Sequence, residues 1–331
     1  MATTADYLTQ LQADKQTLVD NLVAKGVEAS NDETFTSLVP KVADIQSGGG
    51  STENFEITNP SYLFYNGARV DIMELLCSKI ASTCTDFKYT FAYCRNLTEI
   101  PQLDTSNATT MEFMFTSCSK LTEIPQLDTS NVTTMVYTFN GCSNLTTIPE
   151  MNTSKVTTFQ DTFHSCSKLT TIPQLDTSSC TNFDSMINQC SLLTAIPQLD
   201  TSKGTTFNMF AYNCTNLTTI PQLDFSKAIN LNAAFNCKNL TTLGGFVNLG
   251  KAYTQKTANY SSYTLTLSQS TNLTHDSLMN VINNLYDLNL TYDVANGGTL
   301  YTQKLVLGAT NLAKLTEEEI AIATAKGWSV S

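Results

Sequence analysis

The sequence predicts an α/β repeat solenoid of 24-residue coils, each a short strand followed by a short helix, and three observations predict it. Cysteines stand at Cys94, Cys118, Cys142, Cys166, Cys190 and Cys214, each 24 residues after the last, and Cys237 follows after 23. Leucines at Leu97, Leu121, Leu145, Leu169, Leu193, Leu217 and Leu240 keep the same step, as do Ile100, Ile124, Ile148, Ile172, Ile196 and Ile220, each followed by proline. Within each unit the apolar spacing changes character, from strand-like to helix-like.

The unit beginning at Cys118 reads CSKLTEIPQLDTSNVTTMVYTFNG. Leu121, Ile124 and Leu127 flank an extended stretch that proline ends, because proline cannot donate a ladder hydrogen bond. Asp128, Thr129 and Ser130 carry oxygens that accept from free amides, which suits a turn and helix cap. Val132, Met135, Phe139 and Cys142 then follow at steps of three, four and three, the spacing of one helical face. One such unit cannot bury its apolar side alone, so neighbours must stack.

The flanks divide the rest. Residues 1–47 form a helical attachment and oligomerisation module in which Tyr7, Leu8, Leu11, Leu18 and Leu22 supply the apolar contacts, and a glycine-rich linker spans 48–52. An N-terminal cap over 53–83 has a turn at Asn66-Gly67 and a helix containing Ile72, Leu75, Leu76 and Ile80. The repeats run over 84–249, and 250–331 make an α/β C-terminal cap. There Thr274 precedes a helical pattern of Leu278, Val281, Ile282 and Leu285, Asn296-Gly297-Gly298 marks a turn, and Lys304 to Leu307 reads as a strand. Thr316 and Glu319 make a capping box for a last helix with Ile320 and Ile322 as its apolar contacts and Gly327 as its stop.

Composition excludes several functions. A net charge of −11 offers nothing to phosphates or anionic lipid, so neither nucleic acid nor membrane insertion is expected. The sequence shows no signal-peptide pattern and no apolar run long enough to span a bilayer, so synthesis in a cytoplasm with reduced thiols is expected. The cysteine column lacks the paired spacing of a metal site and is assigned to core packing, with Cys77, Cys84 and Cys180, off the column, expected to be more accessible. Asp104, Asp128, Asp176, Asp200 and Asp224 form a column assigned to turn capping, with calcium as a minor alternative. His164 and His275 are the only histidines, and no nucleophile, P-loop or dinucleotide motif is present, so neither enzyme activity nor a cofactor is expected.

Positions that vary among copies while the core columns stay fixed are the candidate ligand-binding surface. On the predicted helix side these are Phe113, Tyr137, Gln160, Asp161, His164, Asp184, Met209 and Tyr212, with the aromatics expected to face solvent. On the strand side Thr98, Thr122, Thr146 and Thr170 make a hydroxyl-rich row suited to polar or sugar contacts.

With these columns in place, Cys84 to Leu249 resembles the BspA-like leucine-rich-repeat family, and Leu312 to Val330 is similar to the end of such proteins. The resemblance implies a leucine-rich-repeat solenoid that recognises proteins or glycans and has no catalytic residues. Ile187 in place of phenylalanine, the shift of an aromatic to Phe210 and the residue lost before Cys237 depart from the pattern. Tyr7 to Ile45 resembles the leading segment of tail-fibre and related virion proteins of phages of Gram-positive hosts. That implies a phage tail-fibre or receptor-binding protein, located in the virion and made in the host cytoplasm. Its expected partners are other tail, baseplate or capsid proteins through the N-terminal module and a host surface protein or glycan through the coils. A homo-oligomer is expected, with a trimer as one arrangement. A bacterial surface adhesin of the BspA-like type and a capsid decoration or head-fibre protein are the alternatives.

Overall fold

The computed structural model describes residues 15, 16, 19, 20, 29, 30, 32, 56–66, 70–232, 234–254, 264–290 and 303–331. Tyr7, Leu8, Leu11, Leu18 and Leu22, the linker glycines, Gly67 and the Asn296-Gly297-Gly298 turn lie outside the described residues, as do the side chains of Ile72 and Leu75. The architecture is mixed α/β with short strands, few helices and no closed barrel among the described residues; every strand pair is parallel.

The 24-residue period is a hydrogen-bonding period. Tyr137 N donates to Gln160 O at 3.0 Å, Phe139 N to Thr162 O at 2.9 Å and Gly141 N to His164 O at 2.8 Å, so alternate amides reach the next coil. The amides between them close local turns, Thr138 N to Met135 O at 3.2 Å and Cys142 N to Phe139 O at 3.1 Å. This corrects the expected helix: among the described residues of 84–249 the coils contain no α-helix. A helix would commit every one of these amides to the carbonyl four residues back and leave none for the neighbouring coil. The backbone also turns left-handed twice per coil, at Phe113 and Ser117, Tyr137 and Gly141, Asp161 and Ser165, a conformation no right-handed helix contains.

The extended side is sparse for a matching reason. In the earlier coils few backbone bonds cross it, Thr122 N to Thr98 O at 3.3 Å and Thr170 N to Thr146 O at 3.2 Å among them, and the proline that follows each isoleucine has no amide to add. Named strands form only toward the end of the repeats. Strand β1 (Ala211–Tyr212) pairs with β4 (Phe235–Asn236), β2 (Thr219–Ile220) with β5 (Thr242–Leu243), and β3 (Leu223–Asp224) with β6 (Phe246–Val247).

Between the two sides lies an apolar core that, among the described residues, takes in side chains from Val19 to Trp328. Phe91, Phe115, Phe139 and Phe163 stack in sequence with ring centroids 5.5, 5.7 and 5.7 Å apart. Burying each ring contributes up to about 3 kcal/mol. The stack stops at Ile187, and Phe210, one place off, meets Phe183 and Phe207 edge-on instead. The cysteines make a second row: Cys118, Cys142, Cys166 and Cys190 each donate the thiol proton to the carbonyl of a phenylalanine 27 residues earlier, at 3.0 to 3.1 Å. All ten cysteines are buried and free, Cys77, Cys84 and Cys180 included, which corrects the expectation that these three are accessible. Cys180 occupies the inward position held by Val132 and Val156 in preceding coils, so it too acts as a small apolar residue. At the same position Gly204 gives its place to Phe207, whose ring would lie 2.3 Å from an added Cβ.

At the N-terminal end, helix α1 (Val70–Cys77) contributes buried Met73 and Leu76, and Ile57 pairs with Ile80. Tyr62, Phe64 and Asn66 donate to Lys88, Thr90 and Ala92, so these residues already lay down a coil's turn segment. At the other end β7 (Thr264–Thr266), β8 (Gln303–Val306) and β9 (Trp328–Val330) form a parallel sheet. True helices appear here: α2 (His275–Asn284), α3 (Ala309–Leu312) and α4 (Glu317–Ala325). Thr274 caps α2, which buries Leu278, Val281 and Ile282, and the Thr316–Glu319 capping box of α4 is present. Gly327 follows α4 at φ 87°. Ile322 is exposed, a correction to its expected core contact, and Ala323 is the buried residue of α4.

Candidate recognition surface

The turn side divides into an aromatic half and a polar half. Tyr62, Tyr89, Phe113 and Tyr137 occupy one row and stack nearly parallel, with centroids 4.7, 4.5 and 4.7 Å apart and interplanar angles of 11°, 7° and 6°. Each has a left-handed backbone, φ 61°, 56°, 58° and 57°. That conformation costs a residue with a Cβ about 1–2 kcal/mol, and each stacked contact returns about 0.5–1.5 kcal/mol. The stacked contacts offset part of that cost, and partial burial of each ring offsets more. Tyr65, 40% exposed, meets Tyr89 and Tyr93 edge-on. Phe113, Tyr137 and Tyr212 are half-buried, which corrects the expectation that they stand in solvent; Phe113 and Tyr137 are covered by the rings they stack on.

One coil further the same row becomes Asp161, then Ser185 and Met209. Asp161 is buried, a correction to its expected exposure, and its Oδ1 lies 2.8 Å from His164 Nδ1. Burial raises the Tyr137 phenol, and the Asp161 charge beside it raises it further. Burial likewise raises the Asp184 carboxyl, against the pull of the Asn208 amide, which donates to it at 2.7 Å, and of the Thr206 hydroxyl. Gln160 Oε1 accepts from Asn182 Nδ2 at 3.3 Å, and Met209 is half-buried. The structure thus gathers Tyr137, Gln160, Asp161, His164 and Asp184 on neighbouring coils.

The opposite side is self-satisfied. Thr98, Thr122, Thr146 and Thr170 are exposed as expected, but Thr122 and Thr170 spend their hydroxyl protons on the carbonyls of Thr98 and Thr146, at 3.3 and 3.2 Å. Nearby, Gln102, Asp104, Gln126, Asp128 and Asn152 line an open groove of about 530 Å³. Hydrogen bonds from Ser106 and Ser130 hold Asp104 and Asp128 below the usual carboxylate range, and Asn152 serves Ser154 in the same way. A role that Asn152 performs without charge is turn capping. Among the described residues no three histidine, cysteine, aspartate or glutamate side chains converge on a point fit for a metal ion. Burial pushes the thiols of Cys142 and Cys180 up to about 12, which leaves them poor nucleophiles.

Sequence reasoning missed Tyr62, Tyr65, Tyr89 and Tyr93. Tyr89 was within reach, since it stands 24 residues before Phe113; Tyr62 stands 27 before Tyr89, off the period. Asn188 carried no signal, because only the fold shows its amide oxygen buried, and Asn208, which varies among copies like Met209, has its amide oxygen buried as well.

The family described as Mycoplasma protein of unknown function, DUF285, matches residues 85–191 and again 144–246. That match supports a BspA-like repeat protein. The matched residues cover the bonded coils from Thr85 to Phe246, so the BspA-like region and the 24-residue bonding period coincide. No curated protein matches the chain.

Proposed function

We propose that the BspA-like coils form a leucine-rich-repeat solenoid whose turn side recognises a macromolecule on a cell surface, with no reaction and no cofactor of its own. The observation that carries this reading is the row Tyr62, Tyr89, Phe113 and Tyr137, four aromatic rings stacked in register on the turn side and only half-buried. Amphipathic rings held rigid and half-exposed contribute most where a partner covers them. We further propose that residues 1–47 fasten the chain, as an oligomer, to a phage particle as a tail-fibre or receptor-binding protein; the resemblance of Tyr7 to Ile45 to such proteins supports this placement.

The test uses fluorescently labelled full-length chain on intact Gram-positive cells. The Y89A/F113A/Y137A variant should bind about tenfold or more weakly, while substitution of the threonine row (T122A/T146A/T170A) should change little; full binding by the aromatic variant overturns the reading. Deleting residues 1–50 should abolish incorporation into particles. The description of the matched family as a Mycoplasma protein favours a second reading, a bacterial surface adhesin of the BspA-like type. Immunogold labelling separates them: label on particles supports the virion protein, and label on cells alone the adhesin.

A further inference from the structure

We infer that the end of the aromatic row, around Asp161 and Asp184, is a binding site for a guanidinium group, an arginine side chain presented by the macromolecule that the turn side recognises. The inference rests on the recognition role proposed above and names the chemistry of the contact. Asp161 and Asp184 lie on adjacent coils, joined by the Asp161 amide donating to the Asp184 carbonyl at 2.9 Å. Among the described residues, the ion pairs of this side are Lys88 with Glu112 and His164 with Asp161, so no lysine or arginine neutralises either aspartate. Two amide oxygens, one on the coil of Asp184 and one on the next coil, lack partners. Asn188 is 4% exposed and its Oδ1 is unsatisfied; it stands in the row of His164, one coil on, where the Ser165 amide donates to its carbonyl at 2.8 Å. Asn208 Oδ1 is buried and unsatisfied as well, next to the amide that Asn208 gives to Asp184.

Two carboxylates with lone pairs beyond those that His164, Asn208 and Thr206 engage, and two orphaned amide oxygens, make a cluster with more acceptor capacity than its own donors fill. The raised Asp184 carboxyl has the same meaning, since a cation beside it would reverse the cost of its burial. A metal ion fits poorly, because the ligating groups do not converge in threes. A guanidinium fits acceptors spread over adjacent coils, having five donors in a rigid plane. It also finds a platform: Tyr137 stacks on Phe113 through one face, and on the other side its row continues with Asp161 instead of a ring.

The test is a titration of the full chain with L-argininamide, read as amide chemical shifts. Shifts should concentrate at residues 160–164, 184–188 and 208–209. The D161N/D184N variant, which keeps shape and the acceptor oxygens, should bind about tenfold more weakly, whereas D104N/D128N in the groove should bind as before. Should the double variant fail to fold, D184N alone carries the comparison. Shifts spread evenly over the acidic surface, unweakened binding by D161N/D184N or D184N, or movement of the same amides by calcium chloride but not by argininamide would each overturn the inference. Argininamide binding without cell binding would remove the recognition reading and leave this site standing; cell binding indifferent to D161N/D184N would do the reverse.

Discussion

Two regions of this chain place apolar residues at steps of three and four and fold them differently. In the coils Val132, Met135, Phe139 and Cys142 line the core from a run of turns; in the C-terminal region Leu278, Val281 and Ile282 do so from helix α2. The difference lies in the residues between. The coil segment VTTMVYTFNG is crowded with β-branched and aromatic residues that lose rotamer freedom in a helix, and it ends in Asn-Gly. The α2 segment HDSLMNVINN follows a capping threonine and holds its apolar residues in a continuous stripe. Where a neighbour offers carbonyls at coil spacing, amides go outward to it; where α2 closes over β5 and β6, they stay within the element.

The comparison can be broken or sharpened by substitution. If cohesion of the coils rests on the stacked core, Phe139→Ala should cost about 3–5 kcal/mol, read as a lowered midpoint in denaturant unfolding; a loss below about 1 kcal/mol would mean the coils hold together by backbone bonds alone. Gly204→Ala drives a methyl into the Phe207 ring and should cost about 1–3 kcal/mol, and adding Phe207→Met should recover much of it, since Met135 stands at that position beside Val132. In the helical region Thr316→Ala removes the cap of α4 and should cost about 1 kcal/mol while leaving the coil amides' hydrogen exchange unchanged; faster exchange in the coils would show that the two regions unfold as one.

The smallest effect concerns His275, whose Nε2 lies 2.8 Å from Glu319 Oε1. The hydrogen bond to Glu319, and then that to Asp276, raises the His275 pKa above its ordinary 6.5, so this contribution is complete below 6.5 and fades as pH rises through the raised value. The Thr316 amide, and then His275, lowers Glu319 below its ordinary 4.5, so its contribution is complete above 4.5 and fades as pH falls through the lowered value. Both are complete between 4.5 and 6.5, where His275→Gln should lower the melting temperature most. The pair is exposed, so the difference should shrink in high salt; an equal difference at about pH 9 would refute the pairing.

Much of the architecture was legible in the sequence because the repeat writes the same packing requirement again and again. Leu121, Ile124, Phe139 and Cys142 recur, and each recurs inside. The caps at Thr274 and Thr316 were legible because capping is local chemistry. What escaped was set between coils: which amides bond across, where the backbone turns left-handed, and why Asp161 is buried beside His164. Apolar spacing cannot distinguish a helix from a run of turns when both point the same residues inward, although the threonines and Asn-Gly of the coil argued against the helix. The candidate surface was found by its variability, but its division at Tyr137 and Asp161 belongs to the stacking of rings.

The bonds that link each coil to the next recur at the 24-residue step, the Gln102 side-chain amide to Gln126 O and that of Gln126 to Glu150 O at 2.7 Å among them. Length is thereby quantised. Excising residues 119–142 would shorten the chain by one rung and re-register thiol to carbonyl and glutamine to backbone across the seam, whereas excising half that stretch would set core positions opposite solvent positions. A gene for such a chain can grow or shrink by recombination in whole rungs, each event moving the ends of the aromatic row nearer together or farther apart.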